Sequence, residues 1–91
     1  MRRVANRLKR YRRVRGLSQK DVARIMGFKN SNRISRWEEG LAMPSARNVF
    51  KLAQIYRTMA DALYMDLLPE LKEEVLAGED ALAEDNRYVQ L

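Results

Sequence analysis

The sequence contains neither cysteine nor histidine. Without cysteine the chain can form no disulfide bond and no thiolate metal site. Without histidine it lacks the commonest general base and the commonest protein ligand for metals. We therefore expect no enzymatic activity and no bound cofactor or metal ion.

Long apolar runs are missing as well. No segment approaches the roughly 20 apolar residues that are needed to span a bilayer. The basic start of the chain is not followed by the apolar region of a signal peptide. These absences predict a cytoplasmic protein with no membrane contact.

Acidic residues are scarce in the first two-thirds of the chain. Residues 1–58 hold 16 lysines and arginines against three acidic residues, a net charge of +13. Residues 59–91 hold two basic and nine acidic residues, a net charge of −7. The basic part favours a polyanionic partner, with a solvated charged surface as the alternative. The acidic part indicates a second role.

Apolar periodicity and capping residues predict an all-α chain with no strand. The predicted helices span residues 2–15, 18–27, 31–39, 45–56, 58–67 and 69–78. The first five make one domain, residues 1–68. Residues 69–91 make an acidic extension, in which a short helix beginning at Pro69 ends at Gly78. The remaining tail is either disordered or ordered against a partner.

The starts of the helices are predicted from polar capping residues. Ser18 with Asp21, and Thr58 with Asp61, have the spacing of a capping box. The predicted N-caps of the third and fourth helices are Ser31 and Ser45. The residues predicted to face inward are Val22, Ala23, Ile25 and Met26 in the second helix, Ala46, Val49, Phe50, Leu52, Ala53 and Tyr56 in the fourth, and Leu63 and Leu67 in the fifth. Leu71, Val75 and Leu76 are predicted to form the apolar stripe of the sixth helix.

The third predicted helix has two distinct sides. Ile34 and Trp37 are three residues apart and define a buried stripe, while Asn32, Ser35 and Arg36 point away from it. A short helix, a glycine turn and a second helix of this kind form the sequence pattern of a helix-turn-helix. In that motif the second helix enters the DNA major groove.

Residues 8–68 resemble the lambda-repressor-like, or Xre/Cro, family of helix-turn-helix regulators. The residues that carry the resemblance are Leu8, Arg12, Gly16 to Gln19, Val22, Ala23, Gly27, Ile34 to Gly40, Pro44, Ser45, Leu52, Ala53 and Leu63. The resemblance implies five helices, DNA binding by the third, and a dimer on a palindromic operator. It also implies an ion pair between Arg12 and Glu38. The chain departs from the family at Arg57, where relatives often have glycine.

The residues predicted to bind DNA are Gln19, Lys29, Asn30, Ser31, Asn32, Arg33, Ser35 and Arg36. Arg36 can bond guanine O6 and N7, and Asn32 can bond adenine N6 and N7. The alternative for Arg36 is an ion pair with Glu38 or Glu39, and for Asn32 and Ser31 it is a role in capping the helix. The alternative for Gln19 is a solvated residue at the start of the second helix. The resemblance implies that Gln19 binds a phosphate. The others surround the start of the third helix, where flanking phosphates are expected.

These features favour a dimeric, sequence-specific transcription regulator of a bacterium or phage, most simply a repressor, bound to double-stranded DNA. One alternative is the antitoxin of a toxin–antitoxin pair, whose residues 69–91 would fold onto a basic toxin. Another is a binder of RNA or DNA through charge alone, which would bind any duplex equally.

Overall fold

Six α-helices make up the part of the chain that the computed structural model describes, which is residues 2–89 for the backbone and 2–85 for the side chains. The helices are α1 (Leu8–Val14), α2 (Gln19–Met26), α3 (Asn32–Glu38), α4 (Ala46–Tyr56), α5 (Ala60–Leu63) and α6 (Leu68–Val89). No strand occurs among these residues. The all-α prediction is confirmed.

One core joins the first five helices. Each of them contributes a side chain that is less than 2% exposed: Leu8, Val22, Ile34, Leu52 and Leu63, in helix order. Because every helix adds at least one fully buried residue, α1 to α5 depend on one another for the burial of their apolar sides.

The start of the first helix was predicted wrongly. Residues 2–7 are not helical, and α1 begins at Leu8. The Asn6 side chain explains the difference, because its Oδ1 accepts the backbone N–H of Leu8 at 3.1 Å. Its Nδ2 donates to the backbone carbonyls of Trp37 and Glu38, at 3.1 and 3.3 Å. Asn6 therefore starts α1 and ties the preceding segment to the end of α3.

Two other helix starts and one helix end agree with the prediction. At the start of α2, the Ser18 hydroxyl accepts from the Asp21 N–H, and the Asp21 carboxylate accepts from the Ser18 N–H. Gly27 ends α2 in the left-handed conformation, with φ 80°. At the start of α4, Ser45 Oγ accepts from Asn48 N at 3.3 Å.

The capping box predicted for α5 does not form. Its N-cap is Met59 rather than Thr58, and no side chain caps it. The N–H of Thr58 instead donates to the carbonyl of Ala53 at 3.0 Å and so completes the end of α4. This ending requires the preceding residue to be left-handed, and Arg57 adopts φ 57° there. Arg57 thus has the backbone conformation of the glycine that it replaces.

Ala46, which was predicted to face inward, is exposed in the first turn of α4. Two further residues predicted to face inward are largely exposed: Ile25 at 58% and Phe50 at 64%. At 100° per residue, each lies about 110° from the centre of the buried arc of its helix. Apolar residues at the edge of an arc are buried only where a neighbouring element covers them. No described element covers these two positions.

Helix α6 is longer than predicted. Pro69 lies in its first turn, as predicted, but the helix continues through Gly78 to Val89. A glycine inside a helix costs about 1 kcal/mol but does not by itself end the helix. The residues of its predicted stripe are exposed: Leu71 by 41%, Val75 by 60% and Leu76 by 49%.

The last two residues of the predicted extension lie outside the described part of the chain. The division into residues 1–68 and 69–91 stays a prediction. None of the described helices is both long enough and apolar enough to cross a membrane.

Two tyrosine hydroxyls are buried in the core. Neither Tyr56 nor Tyr64 finds a hydrogen-bond partner for its hydroxyl among the described residues. Burial raises the pKa of Tyr64 to about 12. Burial also raises the pKa of Tyr56, with a smaller contribution from the charge of Glu38. Both phenols therefore stay protonated in the folded chain at a pH where the unfolded chain releases its protons.

Alkaline pH should consequently destabilise the fold. Above about pH 10 the unfolded chain binds fewer protons than the folded chain, so the free energy of unfolding falls as the pH rises. Tyr64→Phe should remove part of this fall and leave stability at pH 7 unchanged or higher, because it deletes a hydroxyl that has no partner. Urea unfolding at pH 7 and pH 11 measures both effects. A loss of more than about 1 kcal/mol at pH 7 would show that the hydroxyl has a partner.

Candidate nucleic-acid interface

One side of helix α3 packs in the core, and the other side is exposed to solvent. Ile34 and Trp37 are 1% and 4% exposed, which confirms the predicted buried stripe. Asn32 and Arg36 are exposed on the opposite side, and Ser35 between them is half-buried. Since two large side chains fix the rotation of α3 about its axis, the direction of the exposed residues is fixed as well.

The Arg36 and Asn32 side chains make no hydrogen bond or ion pair with any residue in the range 2–85. The alternative partners considered for Arg36 are engaged elsewhere. Glu38 pairs with Arg12, and a Glu39 carboxylate oxygen lies 3.4 Å from the Ser35 hydroxyl. The guanidinium of Arg36 is therefore available to an external ligand.

Ser31 is the N-cap of α3, as predicted, but the side-chain hydrogen bond at this helix start comes from another residue. The Ser31 side chain makes no capping hydrogen bond. Asn30 Oδ1 instead accepts the backbone N–H of Asn32 at 3.0 Å. The capping role predicted for the Ser31 side chain is wrong, and Asn30 shapes the turn that leads into α3.

Arg33 stacks on aromatic rings at the side of α3. Its guanidinium carbon lies 4.1 Å from the centre of the Phe28 ring and 5.4 Å from that of Trp37. The two rings meet edge to face, with their centres 5.9 Å apart. Stacking holds the guanidinium plane while its N–H groups at the rim stay able to donate to a phosphate. No periodicity in the sequence indicates this contact, because Phe28 lies in the turn.

A buried ion pair joins α1 to the end of α3, as the family resemblance implied. Arg12 donates to both carboxylate oxygens of Glu38, at 2.6 and 3.0 Å, and these side chains are only 11% and 3% exposed. The hydrogen bond to Glu38 raises the pKa of Arg12. Arg12 also donates to the carbonyl of Leu17 at 3.0 Å. The pair fixes α3 relative to α1 and to the start of α2.

Gln19, the first residue of α2, belongs to the same network. Its Nε2 donates to Glu38 Oε1 at 3.0 Å. No sequence pattern predicted this bond, which links the first turn of α2 to the last turn of α3. Gln19 is half-buried, so part of its side chain stays at the surface beside the N-terminus of α2.

Two basic residues that were not predicted to take part lie beside the predicted ones. Lys20 and Arg24, on α2, line a surface pocket of about 280 Å³ together with Lys29. Phe28 is the aromatic side chain in its lining, and no acidic residue lines it. The turn between α2 and α3 is thus positively charged. Charge at i and i+4 on the exposed side of α2 was the available signal for Lys20 and Arg24.

The eight predicted residues lie on three segments of the helix-turn-helix: the first turn of α2, the α2–α3 turn and α3. The site presents hydrogen-bond donors and positive charge, the chemistry that suits phosphates and base edges. Within the described chain no group of acidic side chains is arranged to hold a metal ion.

Comparison with known proteins identifies a helix-turn-helix in this chain. A family model described as helix-turn-helix matches residues 8–61, more than half of the chain, from α1 into α5. No curated protein and no solved structure matched the chain.

Proposed function

Since this chain belongs to the helix-turn-helix family of the lambda-repressor and Xre type, whose members are DNA-binding regulators, we propose that it recognises a specific operator sequence and acts as a transcriptional repressor. The family does not itself define the site residues, the repressor role or the assembly. These parts of the proposal depend on the geometry of α3 and on the charge of its surroundings.

The observation that carries the proposal is the exposed side of an anchored α3. Asn32 and Arg36 are four residues apart, so they project from the same side of the helix about one turn from each other. Arg36 would donate to guanine O6 and N7, and Asn32 would pair with adenine N6 and N7. A contact of this kind contributes roughly 1–3 kcal/mol of discrimination against the wrong base.

The residues around α3 would position the helix by contacting phosphates. Lys29 and the stacked Arg33 provide positive charge on the side of the turn. Gln19 would contribute through its surface part, next to the backbone N–H groups at the start of α2. Asn30, Ser31 and Ser35 are polar and short, and they complete the set that we propose to lie at the DNA surface.

Repression would follow from occupancy of the operator. Two copies bound to a palindromic site place their α3 helices about one DNA turn apart, roughly 34 Å, on one side of the duplex. A promoter that overlaps this site would then be blocked to polymerase. The proposal requires no small-molecule ligand.

Selection of bound duplexes from a random pool tests the proposal. The expected result is a single consensus with two inverted half-sites. Equal recovery of all sequences would overturn sequence-specific recognition and favour binding through charge alone.

Lys29→Ala should weaken binding to every duplex by a similar factor, because a phosphate contact carries no base information. The slope of log affinity against log salt should also decrease by about one. Fluorescence anisotropy at several salt concentrations measures both quantities. Lys51→Ala, on the exposed side of α4, is the matched control and should leave both unchanged. A loss confined to one operator sequence would contradict the phosphate role.

One observation favours a second candidate function. Helix α6 is exposed and acidic, as expected of an antitoxin segment that binds a basic toxin. In that case operator binding would serve autoregulation. This function would be supported if a small basic protein co-purified with this chain in a fixed ratio. The toxic activity of that protein should be lost in the complex.

A further inference from the structure

Helix α6 carries a narrow apolar stripe that the described chain leaves uncovered. At 100° per residue, Leu71, Val75 and Leu82 fall within an arc of about 40°. Val75 and Leu82 are each 60% exposed. Gly78 lies beside this arc, and a Cβ added there would meet no atom within 4 Å. A helix with one apolar stripe gains most of its stability by packing that stripe against another surface.

The charges of α6 show what that surface must supply. Between residues 68 and 85 there are seven acidic residues and one lysine. Glu70 repels Glu73 and Glu74 across one turn, and Asp80 repels Glu84 in the same way. No basic residue in this range stands three or four positions from an acidic one. A partner with positive charge beside the stripe would remove this repulsion.

Positive charge of this kind lies beside the N-terminal end of α6, which we call its root. Arg2 pairs with Glu70 at 3.1 Å, and Arg7 pairs with Asp66 at 2.9 Å. Beside Asp66, the exposed side of α1 lines a groove of about 750 Å³. We call it the basic groove, and its lining consists of Asn6, Arg7, Lys9, Arg10, Arg13, Val14, Glu38 and Asp66. The two carboxylates are paired with Arg12 and Arg7, so Lys9, Arg10 and Arg13 give the groove its excess of positive charge. Val14 is 79% exposed and adds an apolar surface between the arginines.

We infer that two copies of the chain dimerise by packing their α6 helices antiparallel. This inference rests on the proposed function, because a palindromic operator requires a two-fold symmetric dimer. In the register that best matches the stripes, Leu71 of one copy meets Leu82 of the other, and Val75 meets Gly78. The missing side chain at Gly78 leaves room for Val75 and for close approach of the helices.

This arrangement also satisfies the charges. In antiparallel helices the end of one lies beside the start of the other, so residues 79–85 of each copy reach the root of the partner's α6. The basic groove lies beside that root, and Asp85, about 60° from the centre of the stripe, then faces Arg10 and Arg13 of the second copy. Two-fold symmetry makes both contacts the same. A parallel pair would instead bring the acidic ends together, which like-charge repulsion disfavours.

Cysteine cross-linking tests the register, because the natural chain has no cysteine to give a background. The variants Leu71→Cys and Leu82→Cys are purified separately, mixed and oxidised as full-length chains. The mixture should give a disulfide-linked dimer, and either variant alone should give only traces. Asp80→Cys, on the opposite side of α6, is the matched control and should stay unlinked to Leu71→Cys. Linkage of Leu82→Cys to itself, or no linkage in the mixture, would overturn the inference.

Charge exchange tests the same interface without altering the stripe. In sedimentation equilibrium the natural chain should have twice its 10.7 kDa mass. Asp85→Lys, and separately Arg10→Glu with Arg13→Glu, should each weaken self-association at least tenfold. An equimolar mixture of these two variants should regain the dimer, since every contact then joins opposite charges. A monomeric natural chain, or variants that dimerise as tightly as the natural chain, would contradict the inference.

Selection from the random duplex pool separates this inference from the proposed function. A monomer that selects one asymmetric half-site refutes the α6 dimer and leaves sequence recognition intact. A cross-linked dimer that selects no sequence refutes the recognition role and leaves the dimer intact. A monomer whose α6 is covered by a basic protein supports the antitoxin function and refutes the dimer.

Discussion

Glu38→Ala is expected to lower the free energy of unfolding by about 3–5 kcal/mol, the usual cost of removing one partner of a buried ion pair. Glu38 accepts hydrogen bonds from Arg12 and from Gln19, and its side chain is only 3% exposed. Its removal leaves the Arg12 guanidinium buried with the carbonyl of Leu17 as its remaining partner. Because small domains are stabilised by only about 5–15 kcal/mol, we expect a large part of the fold's stability to be lost.

Asp66→Ala provides the matched control for that measurement. Asp66 also forms a two-bond pair with an arginine, Arg7, but both side chains are substantially exposed. Exposed ion pairs contribute little, since water and salt screen them. Urea denaturation followed by circular dichroism should show a much smaller shift for Asp66→Ala than for Glu38→Ala. Equal shifts would mean that the Arg12–Glu38 pair does not hold α3 in place.

Gly40→Ala is the second substitution with a large expected effect. Gly40 has φ 76°, and a Cβ there would lie 2.5 Å from the carbonyl oxygen and 2.9 Å from the nitrogen of Val4. The backbone of Val4 is itself bonded to Gly40, since its N–H donates to the Gly40 carbonyl at 2.9 Å. An added methyl group must push the N-terminal segment away and break this bond. Together with the left-handed strain, we expect a loss of about 2–5 kcal/mol.

Gly27→Ala separates the two causes. Gly27 has a similar φ of 80°, but a Cβ there would meet no atom within 4 Å. Gly27→Ala should therefore lower the free energy of unfolding only through the left-handed strain, by about 1–2 kcal/mol. Thermal or urea unfolding of the two variants gives the difference, which belongs to the contact with Val4. If both variants lost the same amount, the N-terminal segment would not pack against the end of α3 as described.

Local signals were sufficient to predict much of the fold. The reciprocal hydrogen bonds of Ser18 and Asp21, the left-handed Gly27 and the buried Ile34 and Trp37 all depend on residues within one helix or its cap. Signals of this kind can be read at a fixed spacing in the sequence.

The errors arise where a distant part of the chain decides the outcome. Residues 2–7 have helical periodicity, but the Asn6 amide bonds to carbonyls more than 30 residues away. Thr58 has the spacing of a capping box, but its N–H donates to the carbonyl of Ala53 and so belongs to the end of α4. Gly78 was predicted to end a helix, but a glycine does so through a left-handed φ, and Gly78 has no positive φ and lies inside α6.

In the candidate site, too, the local features could be predicted and the contacts between distant segments could not. The exposed direction of Asn32 and Arg36 follows from the helical period and could be predicted. The stacking of Arg33 on Phe28 could not, because it joins a helix residue to a turn whose path the sequence does not specify. The bond from Gln19 to Glu38 likewise depends on how α2 and α3 pack.

The central claim is that the exposed side of α3 reads bases. Selection from a random duplex pool with the Arg36→Ala variant, beside the natural chain, tests it most directly. We predict that one position in each half-site loses its base preference, at a cost of roughly 1–3 kcal/mol, while the other positions keep theirs. Arg47→Ala, an exposed arginine on α4, should select the unaltered consensus. An Arg36→Ala consensus identical to the natural one at every position would contradict the claim.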